Sequence, residues 1–167
     1  MPSAKILEEK KAQVTALAQK LSAAGSIVLV DYKGINVDAD TKLRAELRTE
    51  KVDYAVIKNT LLNRACKEAG FEDLIPALAG PTALAVSDDE TAPARVIQKY
   101  AVKNKNTLNF KLGYVSGKCV TAEELKAIAA LPSRETLVAQ VAGSFNSIIA
   151  SFARAVSEVA KQQEPAA

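Results

Sequence analysis

Short apolar runs alternate with helically spaced segments through most of the chain. Residues 26–30 are almost wholly apolar, which predicts a strand buried on both faces. Further strands are predicted over 52–57, 82–86 and 108–114, and helices lie before, between and after them. This alternation predicts an α/β layered domain over residues 1–131. Helices flank its mainly parallel or mixed sheet of four to five strands.

The last predicted strand has a different pattern from the first. From Leu108 to Tyr114, apolar residues alternate strictly with polar or small ones. Such a period of two is typical of a strand that packs one face on the core and leaves the other in water. We therefore expect one face of this strand to be wet.

The chain ends in a long amphipathic helix. Residues 134–161 contain no proline and one glycine, Gly143, and could form roughly 40 Å of helix. Ser144-Phe145 recurs seven residues later as Ser151-Phe152. Apolar residues at helical spacing form what we call the stripe, which consists of Val138, Val141, Phe145, Ile148, Ile149, Phe152, Val156 and Val159.

Two explanations of the stripe remain open at this point. The helix either packs on its own domain as a final layer or is covered by partner helices. Its length, a preceding domain with enough elements for its own core, and a proline before it favour partners. A membrane is disfavoured, because the polar face is nearly neutral and no run approaches the roughly 20 apolar residues of a span. We predict a domain over 1–131, a partner-binding helix over 132–163 and a disordered tail over 164–167.

Composition argues against catalysis. The 167 residues include no histidine and no tryptophan, and the net charge is +3. Without histidine the chain lacks the commonest general base and metal ligand, and its two cysteines cannot complete a zinc site. No glycine-rich phosphate loop occurs. We expect no cofactor, no metal and no enzyme activity. A nucleotide-binding α/β enzyme and a protein scaffold that binds no RNA remain as alternatives. The N-terminus lacks the apolar core of a signal peptide, so the chain is expected in the cytoplasm.

One junction is a candidate phosphate site. Lys58-Asn59-Thr60 lies where a strand ends and a helix begins, so backbone N–H groups and the helix dipole face outward beside a lysine. Asn59 or Thr60 is expected to cap this helix. Scattered basic residues suit a polymeric phosphate backbone better than a mononucleotide. The other residues that could join this surface are Lys33, Gly34, Arg44 and Arg48.

Five segments occur in a characteristic order before and into the long helix. They are Val30-Asp31-Tyr32-Lys33-Gly34, Leu43-Arg44-x-x-Leu47-Arg48, Val56-Ile57-Lys58-Asn59-Thr60-Leu61, Gly80-Pro81-Thr82-Ala83 and Leu131-Pro132-Ser133-Arg134-Glu135. In this order the chain resembles the bacterial stalk-base proteins of the large ribosomal subunit, the family of its tenth protein. The resemblance covers essentially the whole chain.

The resemblance implies an adaptor on the cytoplasmic ribosome. The domain would bind large-subunit rRNA beside the eleventh large-subunit protein, through Lys33, Gly34, Arg44, Arg48, Lys58, Asn59 and Thr60. The stripe would carry dimers of the acidic stalk protein, two for a helix of this length, and these would recruit translational GTPases. Members of the family also repress translation of their own message, which is expected here too.

Overall fold

The computed structural model describes residues 4–103 and 108–163. The chain divides into two compact units, residues 1–131 and 132–167. The tail predicted over 164–167 lies outside the described residues.

The first unit contains five helices, one 3₁₀ helix and five strands within the described residues. Their bounds are α1 Ala4–Ala23, β1 Ser26–Asp31, α2 Val37–Thr49, β2 Asp53–Val56, α3 Asn59–Ala69, the 3₁₀ helix Glu72–Leu78, β3 Ala83–Ser87, α4 Ala92–Lys103, β4 Asn109–Val115, β5 Lys118–Thr121 and α5 Ala122–Ala129. The second unit contains α6, Arg134–Gln163. The α/β class and the long last helix are confirmed.

Strand β5 is an addition to the strands expected from the sequence. It pairs with β4 through a tight hairpin in which Ser116 and Gly117 have φ values of 50° and 82°. Positive φ at both central residues is typical of a type I′ turn. At only four residues, β5 is too short for its pattern to stand out in the sequence.

The pairing of neighbouring strands differs from the expectation of a mainly parallel or mixed sheet. The sheet order is β2-β3-β1-β4-β5, and all four pairings are antiparallel. The helical crossovers do return the chain to the same end of the sheet, so β1 runs parallel to β2, and β3 parallel to β4. In each case a strand of opposite direction lies between the two parallel strands. The alternation of strands and helices along the chain therefore indicates which strands run in the same direction, but it does not indicate which strands are neighbours in the sheet.

Helices cover both faces of this sheet. Val28 and Val30 of β1 pack in the cluster with α2, α4 and α5, whereas Ile27 and Leu29 pack in the cluster with α1, α3 and the 3₁₀ helix. All four side chains are at most 1% exposed. The strand expected to be buried on both faces is therefore confirmed at the centre of a three-layer domain.

The expectation of a wet face on β4 is wrong, because a β-bulge interrupts its alternation. Leu29 pairs with Leu112 but Val30 pairs with Phe110, so Lys111 is an extra residue on β4. Phe110 consequently packs on the α4 side of the sheet, whereas Leu112 packs on the α3 side. A bulge switches the face to which later residues point, and β4 is covered on both sides.

Candidate RNA-binding end of the sheet and apolar face of the last helix

Several chain segments meet where β1 and β2 end and β3 begins. The register pairs Val56 with Ala83 and Ala83 with Val30. The segments 31–36, 57–60 and 78–82 therefore lie at one end of the sheet, which we call the loop end. Since β3 separates β1 from β2, the chain leaves these two strands about 10 Å apart.

Lys58 immediately precedes α3 at the loop end. It is the N-cap residue, with φ −62° and ψ 125°, and among the residues that the structure describes no side chain caps the helix. Its carbonyl accepts from the N–H groups of Leu61 and Leu62, at 2.9 and 3.1 Å. The Lys58 side chain is exposed, as is Thr60. The junction thus presents an exposed ammonium beside a helix N-terminus without a side-chain cap, which favours an anion.

The expectation that Asn59 or Thr60 caps α3 is wrong. Asn59 is the first helical residue, and its Nδ2 donates to the carbonyl oxygens of Leu78 and Gly80, at 2.7 and 2.8 Å. Its side chain holds the loop before β3 because the chain brings that loop, 19 to 21 residues away, against the start of α3. Sequence spacing carries no sign of such a contact.

Lys111 holds the same loop from the other side. Its Nζ donates to the carbonyl oxygens of Ala79 and Pro81, at 2.7 Å each, and to Oγ1 of Thr82 at 2.8 Å. The bulge in β4 aims this side chain at the loop. Gly80, at the centre of the loop, has φ +77°, a left-handed conformation that favours glycine. Sequence reasoning missed Lys111 as a positioning residue, although a lysine inside an apolar alternation was the available signal.

Lys33 and Gly34 lie in the loop that follows β1. The backbone N–H of Lys33 donates to Oδ1 of Asp31 at 3.0 Å, which makes a local turn. Both residues are exposed, and Gly34 has φ +87° with open space where a Cβ would be. The loop therefore presents a lysine and an accessible backbone at the same end of the sheet as Lys58.

Arg44 is already engaged within the fold. Its Nε lies 2.7 Å from Oδ2 of Asp40, and its guanidinium lies 5.1 Å from the ring centre of Tyr54. Burial raises the pKa of Tyr54 to about 12, with a smaller contribution from the Asp40 carboxylate. Arg44 thus has its charge partly neutralised and its plane occupied by an aromatic ring.

Arg48 lies further along α2 than the loop end. The helix starts after the β1 loop and runs back along the sheet, so Arg48 is about 16 Å from its first residue. The side chain is exposed. The structure brings Lys33, Gly34, Lys58, Asn59 and Thr60 to one end, with Arg44 and Arg48 progressively distant from it.

Helix α6 exposes the whole stripe. Each of the eight side chains is between 52% and 72% exposed, with Phe145 at 70% and Phe152 at 72%. Within the described residues α6 is the only element of its unit, so that unit offers no core to cover the stripe. Oγ of Ser133 accepts from the N–H of Thr136 at 3.3 Å and caps the helix start.

Three serines of α6 satisfy their own hydroxyl groups. Ser144, Ser147 and Ser151 each donate to a carbonyl three residues earlier, at 2.7 to 2.8 Å. These bonds within the helix satisfy the hydroxyl groups of the three serines. A covering surface can therefore be apolar where it meets Ser144 and Ser151, which flank the stripe, whereas Ser147 lies on the opposite side.

By length and apolar content alone, α6 could cross a membrane, contrary to the expectation from the sequence. The qualifying segment is Arg134–Lys161. Its apolar residues nevertheless follow one side, and Gln140, Ser147 and Arg154 follow the other. A one-sided pattern is typical of a helix covered along one face rather than one surrounded by lipid.

Comparison with known proteins gives matches over both units. Residues 5–102 match the family model of ribosomal protein L10, and residues 131–166 match that of the ribosomal protein uL10 C-terminal region. Large ribosomal subunit protein uL10 of Shouchella clausii is 45% identical over 161 residues, covering 96% of both chains. Those of Staphylococcus haemolyticus and Alkaliphilus metalliredigens are 42% and 39% identical, and the alignments cover 95% or more of every chain. The chain therefore belongs to the uL10 family: it is a structural protein of the large ribosomal subunit in the cytoplasm, and not an enzyme.

Proposed function

We propose that this chain is the base of the ribosomal stalk. Its first unit binds large-subunit rRNA beside the eleventh protein, and α6 anchors dimers of the acidic stalk protein, which recruit translational GTPases. The observation that carries this proposal is the exposed stripe of eight apolar residues, which lies in the segment that matches the uL10 C-terminal region.

Apolar burial would supply the affinity of α6 for its partners. An apolar patch of this size is rarely left in water and is typical of an interaction surface. The uncharged stretch 136–153 holds the middle of the stripe, so a partner can cover it without desolvating a charge. Phe145 and Phe152 are the largest and among the most exposed side chains, and aromatic anchors usually dominate such interfaces. Two dimers on one helix would raise the local concentration of GTPase-binding arms.

Native mass spectrometry of the chain expressed with the acidic stalk protein tests this anchoring. We expect the unaltered chain to carry two dimers and the Phe152→Asp variant to lose partners, because the variant buries a carboxylate in an apolar interface. Ser147→Asp adds the same charge on the other face and should keep both dimers. Equal loss in the two variants, or no partner on the unaltered chain, would contradict the proposal.

Groups that could contact phosphate at the loop end support the rRNA part of the proposal. Lys33 and Lys58 are exposed, and the start of α3 and the Gly34 turn present accessible backbone beside them. The net charge of +3 argues that contact with RNA is local and includes backbone groups. Arg44 would act mainly by holding Tyr54 and Asp40 in place.

Salt dependence of RNA binding tests the role of Lys58. With an rRNA fragment from the GTPase-associated region, Lys58→Ala should weaken binding and lower the salt slope by about 0.7–0.9, the value for one lost phosphate contact. Lys67→Ala is the matched control, because Lys67 is exposed at the other end of α3. An unchanged slope in Lys58→Ala, or an equal change in Lys67→Ala, would remove Lys58 from the interface.

The same RNA-binding surface would allow repression of the chain's own message. A leader that folds like the rRNA site would compete with the ribosome for free protein. In a translation reporter that carries this leader, added protein should lower synthesis and Lys58→Ala should relieve that effect. Equal repression by both forms would exclude the loop end from such control.

A further inference from the structure

The order of residue types in the stripe is the same from either end of α6. From its first residue to its middle the order is Val, Val, Phe, Ile, and from the middle onward it is Ile, Phe, Val, Val. The centre of this palindrome lies between Ile148 and Ile149. Spacing is symmetric as well as type, since the mates about this centre are Val138 with Val159, Val141 with Val156, Phe145 with Phe152, and Ile148 with Ile149.

A palindrome of this kind fits a two-fold antiparallel helix pair. When two copies of α6 lie antiparallel with their centres aligned, each residue of the stripe in one copy lies at the same height as its mate in the other copy. With about 100° per residue, the two phenylalanines lie about 10° from the centre of the stripe, the valines about 30° and the isoleucines about 50°. Phe145 of each copy would therefore contact Phe152 of the other, which gives two equivalent contacts near the middle of the interface.

The flanks of the stripe also suit close approach at this register. Ala142 falls opposite Ala155 of the second copy, and Ser144 falls opposite Ala153. The hydroxyl of Ser144 is bonded within its own helix. Small, satisfied residues beside an apolar seam allow helix axes to approach within about 8–10 Å.

The charged residues of α6 are compatible with this register and with the antiparallel direction. The stretch 136–153 contains no charged residue. In the aligned antiparallel pair Arg154 falls opposite Gly143, Glu158 opposite Ala139 and Lys161 opposite Thr136, so no like charges meet. Antiparallel helices also place the positive end of one dipole beside the negative end of the other.

We propose that α6 of the free chain pairs antiparallel with α6 of a second copy, centred between Ile148 and Ile149. The pair covers both exposed stripes until another partner displaces it. This inference does not depend on the proposed stalk function, and the two occupants compete for the same eight residues.

Sedimentation equilibrium of the full chain tests the pairing. We expect the mass to rise with concentration from 17.7 kDa to twice that value. Phe145→Asp should stay monomeric over the same range, whereas Ser147→Asp, with its new charge on the other face, should pair like the unaltered chain. A monomer at every concentration, or equal behaviour of the two variants, overturns the proposal. If stalk dimers still bind in that case, the proposed function survives alone.

Disulfide formation tests the direction and register. The background replaces the exposed Cys119 with serine and keeps the buried Cys66. Val138→Cys together with Val159→Cys should yield covalent dimers on oxidation, and Val138→Cys alone should yield none. A parallel pair would cross-link Val138→Cys alone, and a shifted register would leave the double variant unlinked. Either result overturns the proposed arrangement.

Discussion

Asn59 anchors the loop before β3, so its removal should destabilise the first unit. Its amide donates two hydrogen bonds, of 2.7 and 2.8 Å, to carbonyl oxygens of Leu78 and Gly80. At about 1 kcal/mol net for each bond, the loss of these two bonds in Asn59→Ala should lower the free energy of unfolding by about 2 kcal/mol relative to a variant with the same gain in helix propensity. Asn59→Asp should lower it further, because a carboxylate cannot donate and would face two carbonyl oxygens.

Thr60→Ala is the matched control for this prediction. Thr60 is the next residue of α3 and is exposed, so its replacement brings a similar gain in helix propensity, about 0.5 kcal/mol, without loss of a loop contact. The difference between the two alanine variants therefore isolates the two hydrogen bonds. At about 4 °C per kcal/mol, the expected difference in melting temperature is about 8 °C.

Urea unfolding followed by tyrosine fluorescence measures this difference in the right unit. The chain has no tryptophan, and its four tyrosines all lie in the first unit, at positions 32, 54, 100 and 114. The slope of the unfolding free energy against urea concentration should be unchanged, while the urea concentration at the midpoint of unfolding falls. Two results would contradict this prediction. The free energies of unfolding of Asn59→Ala and Thr60→Ala could agree within about 0.5 kcal/mol, or Asn59→Asp could be no less stable than Asn59→Ala.

Three further predictions concern the same unit. Lys111→Met should lower the free energy of unfolding by about 2 kcal/mol, because three acceptors lose their cationic donor. In a double-mutant cycle with Asn59→Ala, the two losses of stability should not add, since both side chains hold the same loop. Simple additivity would contradict a shared loop. Gly113→Ala should cost about 1–3 kcal/mol in urea unfolding, since its Cβ would lie 2.9 Å from Cδ2 of Leu125 and 3.1 Å from a carbonyl oxygen of β1; an unchanged midpoint would show that Leu125 moves freely. Because the pKa of Tyr54 is raised from 10.0 to about 12, its contribution to stability is complete below pH 10 and is lost as pH rises from 10 towards 12, which ultraviolet titration and unfolding at alkaline pH can follow. Tyr54→Phe should remove this dependence without lowering stability at neutral pH, because the buried hydroxyl has no hydrogen-bond partner among the described residues; a loss above about 1 kcal/mol would reveal one.

Much of the first unit was predictable because its signals are local. The apolar run of β1 required burial on both faces, and it received a helical layer on each side. Gly70 ends α3 in the left-handed conformation, with φ +81°, a role for which glycine is a local sequence signal. The capping box of α5 is local too, with the N–H of Thr121 donating to Glu124 at 2.8 Å. That contact with the backbone N–H also lowers the pKa of Glu124.

The candidate RNA-binding end was predictable only in part. Lys33 and Lys58 follow two strands that run in the same direction, so their shared end of the sheet follows from the crossover alone. The partners of Asn59 and Lys111 could not be foreseen, because they are separated from these residues by 19 to 32 positions in the chain. Which residues meet over such distances depends on strand order and on the bulge in β4.

The sequence by itself determined the helices, most of the strands, the long α6 and the symmetric stripe, since each depends on spacing within one segment. The tertiary structure decided that a strand of opposite direction separates each pair of parallel strands, that Lys111 serves a loop and not solvent, and that Arg48 lies away from Lys58. Periodicity within a segment records which side chains need burial, but it does not record which distant segment buries them. That choice is made by packing and hydrogen bonding between segments, and it exists only in the assembled fold.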